Sequence, residues 1–69
     1  MKILTQLENA KASLAGGIEL FNEGGLEADS LKELQQHVKD LAAIAARIYG
    51  GEPEDFWSRE VMQSEGLLF

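Results

Sequence analysis

A chain of 69 residues with a formal net charge of −6 and no cysteine predicts one small acidic domain, without disulfides or thiolate metal sites to stabilise it. One histidine cannot build a typical zinc site, and the acidic balance disfavours nucleic acid and anionic membranes, which both attract lysine and arginine. No apolar stretch has the length of a signal peptide core or of a membrane span. These features predict a cytoplasmic protein without a cofactor, in which self-association supplements a small core.

The first helix is predicted from about residue 3 to residue 22. Its apolar seam consists of two rows with seven-residue spacing: Leu4, Lys11 and Ile18, and Leu7, Leu14 and Phe21. We interpret Lys11 as a register device or a snorkelling side chain. Because the phase continues across Gly16-Gly17, we expect one helix that a neighbouring helix approaches closely at Gly17. The alternative is a kink at the glycine pair, or a short strand at "GIELF".

The second helix is predicted from about residue 31 to residue 49. Ser30 and Glu33 match a capping box at its start, and Gly50-Gly51 follows its end. Its seam rows are Leu31, Val38 and Ala45, and Leu34, Leu41 and Ile48. In its first half, the residues predicted to face solvent are Lys32, Glu33, Gln35, Gln36, Lys39 and Asp40.

The second half of this helix, "LAAIAARI", is apolar on nearly every side, which indicates burial from more than one direction. A two-helix hairpin cannot bury such a segment, whereas a dimer of hairpins can, with its alanines opposite the small residues near Gly17. The sequence therefore predicts an all-α fold: a helical hairpin plus a short C-terminal helix, dimerising into a four-helix-type bundle. The predicted dimer interface contains Leu41, Ile44, Ala45 and Ile48.

A short third helix is predicted from about residue 54 to residue 64, with Pro53 in its first turn and Gly66 after its end. Adjacent residues on a helix point about 100° apart, so one short face cannot fully bury both Phe56 and Trp57. We expect one ring, that of Trp57, to stay partly exposed.

Aromatic and arginine side chains concentrate around the end of the second helix and the third segment. They either seal the end of the bundle or form a hot spot for a protein partner, since tryptophan, tyrosine and arginine dominate such spots. The predicted partner-binding residues are Trp57, Phe56, Tyr49, Arg47 and Arg59.

No pattern in the chain indicates catalysis. Glu33, His37 and Asp40 share one helix face, but Leu34 occupies the position that a Glu-x-x-His metal motif requires, so a solvated face is the simpler interpretation. The serines lack a nucleophile elbow, and the glycine pairs do not match a phosphate-binding loop. We expect a non-enzymatic protein-binding module; a structural or assembly subunit and an acidic DNA mimic are the alternatives.

The chain is similar in overall make-up to the very small acidic proteins that bacteriophages express to bind host regulators. It looks most like the helical anti-activators that disarm a host transcription factor, such as a quorum-sensing receptor of the LuxR type. The shared features are length, negative charge, the two heptad helices "LTQLENAKASLAGGIELF" and "LKELQQHVKDLAAIAARI", and the aromatic end "IYGG" and "DFW". The resemblance implies an inhibitory partner of a host regulatory protein, and it transfers no functional residue.

Overall fold

The computed structural model describes residues 2–69. This range contains three α-helices and one 3-10 turn and no β-strand, so the predicted all-helical class is confirmed. The helices are α1 (Ile3–Asn22), α2 (Ala28–Tyr49) and α3 (Arg59–Leu68), and the 3-10 turn spans Pro53–Phe56. α1 and α2 form an antiparallel hairpin, in which Gly17 near the end of α1 meets Leu31 and Leu34 near the start of α2.

α1 continues unbroken through Gly16-Gly17, as the continuous apolar phase predicts. Its buried face is rotated from the predicted seam, because Leu4 is 45% exposed and Lys11 is only half-buried. The buried residues are Ile3, Leu7, Ala10, Leu14, Gly17 and Ile18. Gly17, the smallest of these residues, lets α2 approach where a larger side chain would hold it away.

Gly17 is the point of close approach between the two helices of the hairpin. A Cβ atom at this position would overlap the Leu34 Cδ1 atom and lie 3.6 Å from Leu31 Cδ1. The prediction of a close neighbour is therefore right, but the predicted alanine partners are wrong. In an antiparallel hairpin the end of α1 lies beside the start of α2, which carries leucines, and the alanines of α2 lie farther along.

α2 begins one turn earlier than predicted. It starts at Ala28 with Glu27 as the N-cap residue, and no capping side-chain hydrogen bond is formed there. Ser30 and Glu33 consequently lie inside the helix, and the predicted capping box is absent. The helix ends as predicted before Gly50, whose backbone N–H donates to the Ala46 carbonyl at 2.8 Å and whose φ of 89° then turns the chain out of the helix.

The C-terminal segment is divided into two elements rather than one helix. In the 3-10 turn, the backbone N–H of Glu52 donates to the Asp55 carboxylate at 3.0 Å, and Trp57 and Ser58 then adopt extended backbone. α3 starts at Arg59 and continues through Gly66 to Leu68, so the expected end at Gly66 is wrong.

α3 covers the groove between α1 and α2 and completes the core. Val61 and Ser64 of α3 are fully buried. Gln35 was predicted to face solvent, but it is only 4% exposed, and its Nε2 atom donates to Ser64 Oγ at 2.9 Å. The Ser64 hydroxyl in turn donates to the Val61 carbonyl at 2.8 Å. The buried amide is thus paired, as buried polar groups require.

The chain's own C-terminal segment contributes to the core that α2 forms with α1, so the burial of α2 has to be assessed first within one chain. Two of the four predicted interface residues, Leu41 and Ala45, are buried within the single chain, and Ile44 and Ile48 stay exposed. The apolar second half of α2 is therefore buried in part without a second copy. Burial of "LAAIAARI" does not by itself require dimerisation.

The glycine pair of α1 supports a first prediction. Gly17→Leu is expected to destabilise the fold by about 1–3 kcal/mol, because the new side chain must displace Leu34 and its neighbours. Gly16→Ala is expected to stabilise it by up to about 1 kcal/mol, because no atom lies within 4 Å of the added Cβ and alanine favours the helix. Thermal unfolding of both variants measures the effect. A higher melting temperature for Gly17→Leu would contradict the close approach.

A second prediction concerns the buried hydrogen bond beneath α3. Ser64→Ala is expected to lower the free energy of unfolding by about 1–3 kcal/mol, because it leaves the buried Gln35 amide without its acceptor. Ser13→Ala, at an exposed position of α1, is the matched control and should change stability little. Urea unfolding followed by circular dichroism compares the two. Equal stability of both variants would show that α3 does not dock through this bond.

Candidate functional site

Lys39 of α2 contacts both Trp57, which follows the 3-10 turn, and Glu65 of α3. Its Nζ atom lies 5.1 Å from the centre of the Trp57 ring and 2.5 Å from the Glu65 carboxylate. Trp57 is half-buried against the core, and its indole Nε1 atom is enclosed without a hydrogen-bond partner among the described residues. Lys39 therefore covers one face of the ring, and the cation–π contact and the ion pair hold Trp57 in place.

The five predicted partner-binding residues fall into two groups. Phe56 and Trp57 are both half-buried and pack against the core, so they mainly seal the structure. Tyr49 is 60% exposed, and Arg47 and Arg59 are also exposed. The aromatic pair and the arginines therefore do not form one open surface.

The outer face of α3 is an exposed, partly apolar helix face that begins at Arg59. Arg59, Met62, Gly66 and Phe69 are separated by three, four and three residues, so they share one side of the helix and its end. Met62 is 70% exposed and Phe69 is 81% exposed, the two highest values among the large hydrophobic residues that the structure describes. We call these four residues the α3 outer face.

A shallow cleft separates α1 from α3. Its lining consists of Ala15, Ile18, Glu19, Asn22, Glu60 and Gln63. The backbone N–H of Glu60 at the start of α3 lowers the pKa of its carboxyl group, and the positive charges of Arg59 and Lys11 lower this pKa further. The polar lining of this open cleft thus consists of two carboxylates and two amides.

The described residues 2–69 contain no group of three or more histidine, aspartate or glutamate side chains that could hold a metal ion. Glu33, His37 and Asp40 are all exposed on α2, and Asp40 accepts a hydrogen bond from Gln36 Nε2 at 2.9 Å. This geometry fits the interpretation of a solvated helix face with local pairs.

None of the helices between residues 2 and 69 combines the length and apolar character needed to cross a membrane. Comparison of the chain with protein-family models, with curated proteins and with solved structures finds no significant match.

Sequence reasoning missed the α3 outer face, although its spacing was visible. The expected helix end at Gly66 placed Phe69 outside the helix that carries Met62, so the two side chains were not assigned to one face. A glycine in the last turn of a short helix costs about 1 kcal/mol relative to alanine, which is small enough for docking contacts to offset. The sequence signal was the spacing of Arg59, Met62 and Phe69 on one helical face.

The burial of Trp57 supports a third prediction. Trp57→Ala is expected to destabilise the protein by on the order of 2 kcal/mol, because the half-buried ring packs against the core and Lys39. Tyr49→Ala, which removes an exposed ring, should change the melting temperature much less. The fluorescence of this only tryptophan should be blue-shifted and partly protected from iodide. A fully quenchable emission would contradict the packing.

Proposed function

We propose that this protein is a non-enzymatic binding module that captures another protein and inhibits it. The partner class that the overall resemblance suggests is a host regulatory protein, such as a transcription factor. The observation that carries the proposal is the α3 outer face. It exposes Met62 and Phe69 although the core beneath α3 is already complete.

Exposure of these side chains is unfavourable in isolation and favourable in a complex. Burying a large apolar side chain contributes about 1.5–3 kcal/mol, and Met62 and Phe69 leave most of this contribution unused in the single chain. Methionine adapts its shape to a partner surface, and phenylalanine supplies a rigid anchor. Exposed apolar residues that share one helix face mark interaction sites more often than singly scattered ones do.

Charged groups around the face specify the chemistry of the partner. Arg59 begins the face, and Lys32 Nζ lies 5.7 Å from the centre of the Phe69 ring at its other end. The face is thus apolar in the middle and basic at both ends, in a chain whose net charge is −6. A partner with an apolar pocket and nearby carboxylates fits it, and a nucleic-acid backbone fits the rest of the acidic chain poorly.

In the proposed function, a homodimer of this chain is the assembly that captures the partner. Ile44 and Ile48, the two predicted interface residues that remain exposed, lie on α2 and do not belong to the α3 outer face. Self-association through α2 and capture through α3 are therefore compatible in one molecule.

A fourth prediction tests capture directly. The tagged parent protein and a Met62→Glu/Phe69→Ser double variant are used to capture partners from cell lysate, followed by mass spectrometry. The double variant is expected to lose the specific partner, with at least about a tenfold fall in affinity when the purified partner is tested. Leu4→Glu, at another exposed apolar position, is the control and should retain the partner. Equal capture by all three proteins would contradict the α3 outer face as the binding site.

A further inference from the structure

α2 carries a second partly exposed apolar surface, on its side away from α3, with Ile44 and Ile48 as its exposed apolar side chains. Leu34, His37, Leu41, Ile44 and Ile48 follow one another at intervals of three or four residues, which places them in one stripe along the helix. Ile44 is 38% exposed, Ile48 is 57% exposed, and Leu41 lies beneath them at 7%. We call these five residues the α2 stripe.

The side of α2 that carries this stripe follows from the contacts of α3. α3 reaches α2 at Gln35 and Lys39. At 100° per residue, Ile44 lies about 140° and Ile48 about 180° around the helix from Lys39. The α2 stripe is therefore on the opposite side from α3 and from the α3 outer face.

α1 extends this surface without adding charge. Gly17 of α1 lies against Leu34, the first leucine of the stripe. The positions on the same row of α1 as Gly17 are Gln6, Ala10, Ser13 and Leu20, and none of them is ionisable. In a chain with a net charge of −6, the α1 part of this surface therefore adds no charge that would repel a second acidic chain.

The charged residues beside the stripe favour pairing with a second copy of the chain in the antiparallel orientation. Glu33, Asp40 and Arg47 are exposed, seven residues apart, and each directly precedes a stripe residue. In an antiparallel pair centred near Leu41, Glu33 of each copy faces Arg47 of the other, which gives two attractive pairs and one Asp40–Asp40 repulsion. In a parallel pair the same flanking position of the two copies lies on opposite sides of the interface, so Glu33 and Arg47 would form no ion pair with each other. Flanking charges of this kind set partner orientation in paired helices.

We infer that the α2 stripe is the surface on which two copies of this chain pair, antiparallel, with Glu33 and Arg47 forming intermolecular ion pairs. This inference deepens the homodimer of the proposed function and is independent of capture by the α3 outer face. The stripe from Leu34 to Ile48 is about 21 Å long, which is short for an interface. Standard interfaces bury about 800 Å² on each partner, so we expect a weak dimer with a dissociation constant between roughly 10 μM and 1 mM.

The fifth prediction is tested by sedimentation equilibrium of the full chain from 10 μM to 2 mM. The parent is expected to form a dimer. Ile44→Asp and Ile48→Glu should each raise the dissociation constant at least tenfold while circular dichroism stays helical, since both side chains are exposed in the single chain. Met62→Glu, on the α3 outer face, is the matched control and should leave the dissociation constant unchanged.

Charge swapping tests the orientation. Arg47→Glu is expected to weaken the dimer about threefold or more, and Glu33→Arg in the same chain should restore it, because the two ion pairs reform with reversed signs. A monomer at 2 mM, a dimer insensitive to the two isoleucine variants, or failure of the double swap to restore pairing would each overturn the inference. Capture by the α3 outer face is measured separately, so loss of one property leaves the other testable.

Discussion

The hydrogen bond between Gln35 and Ser64 is the contact on which the rest of the structure depends. Both side chains are buried, and the amide donates to the hydroxyl at 2.9 Å. An unpaired buried amide would cost about 1–3 kcal/mol, so α3 has one register in which it can cover α2. Docking in that register buries Val61, places Lys39 between Trp57 and Glu65, and leaves Met62 facing solvent. This docking of α3 therefore both closes the core of the single chain and determines which face of α3 stays exposed.

The helical hairpin could be predicted from periodicity, because hydrophobic spacing reports which side of a helix is buried. The side of α1 that is buried could not be predicted in detail. Ile3 and Leu4 are both apolar, and only the position of the neighbouring helices decides which of them is covered. Gln35 was missed for a similar reason, since its polarity favours solvent unless a specific partner lies opposite. That partner, Ser64, is 29 residues away in sequence. Contacts at such separation leave no signal in local spacing.

In the candidate surfaces, too, local spacing predicts exposure, whereas contacts between residues far apart in sequence cannot be predicted from it. The exposure of Arg47, Tyr49 and Arg59 agrees with their placement outside the seam, whereas the packing of Trp57 depends on Lys39, which local patterns did not connect to it. The third segment was predicted as one helix. The extended backbone at Trp57 and Ser58 breaks it, and this break turns Met62 outward and Val61 inward. The two surfaces now proposed, on α3 and on α2, therefore lie on opposite sides of one molecule.

Nuclear Overhauser spectroscopy provides the most direct test that α3 docks on α2 of its own chain. At 5 μM, below the expected dimer dissociation constant, the side-chain amide protons of Gln35 should show cross-peaks to the β protons of Ser64. In a mixture of labelled and unlabelled protein, these cross-peaks should be intramolecular. Their absence in a helical sample, or their appearance between two chains, would contradict a core completed by the chain's own C-terminal segment.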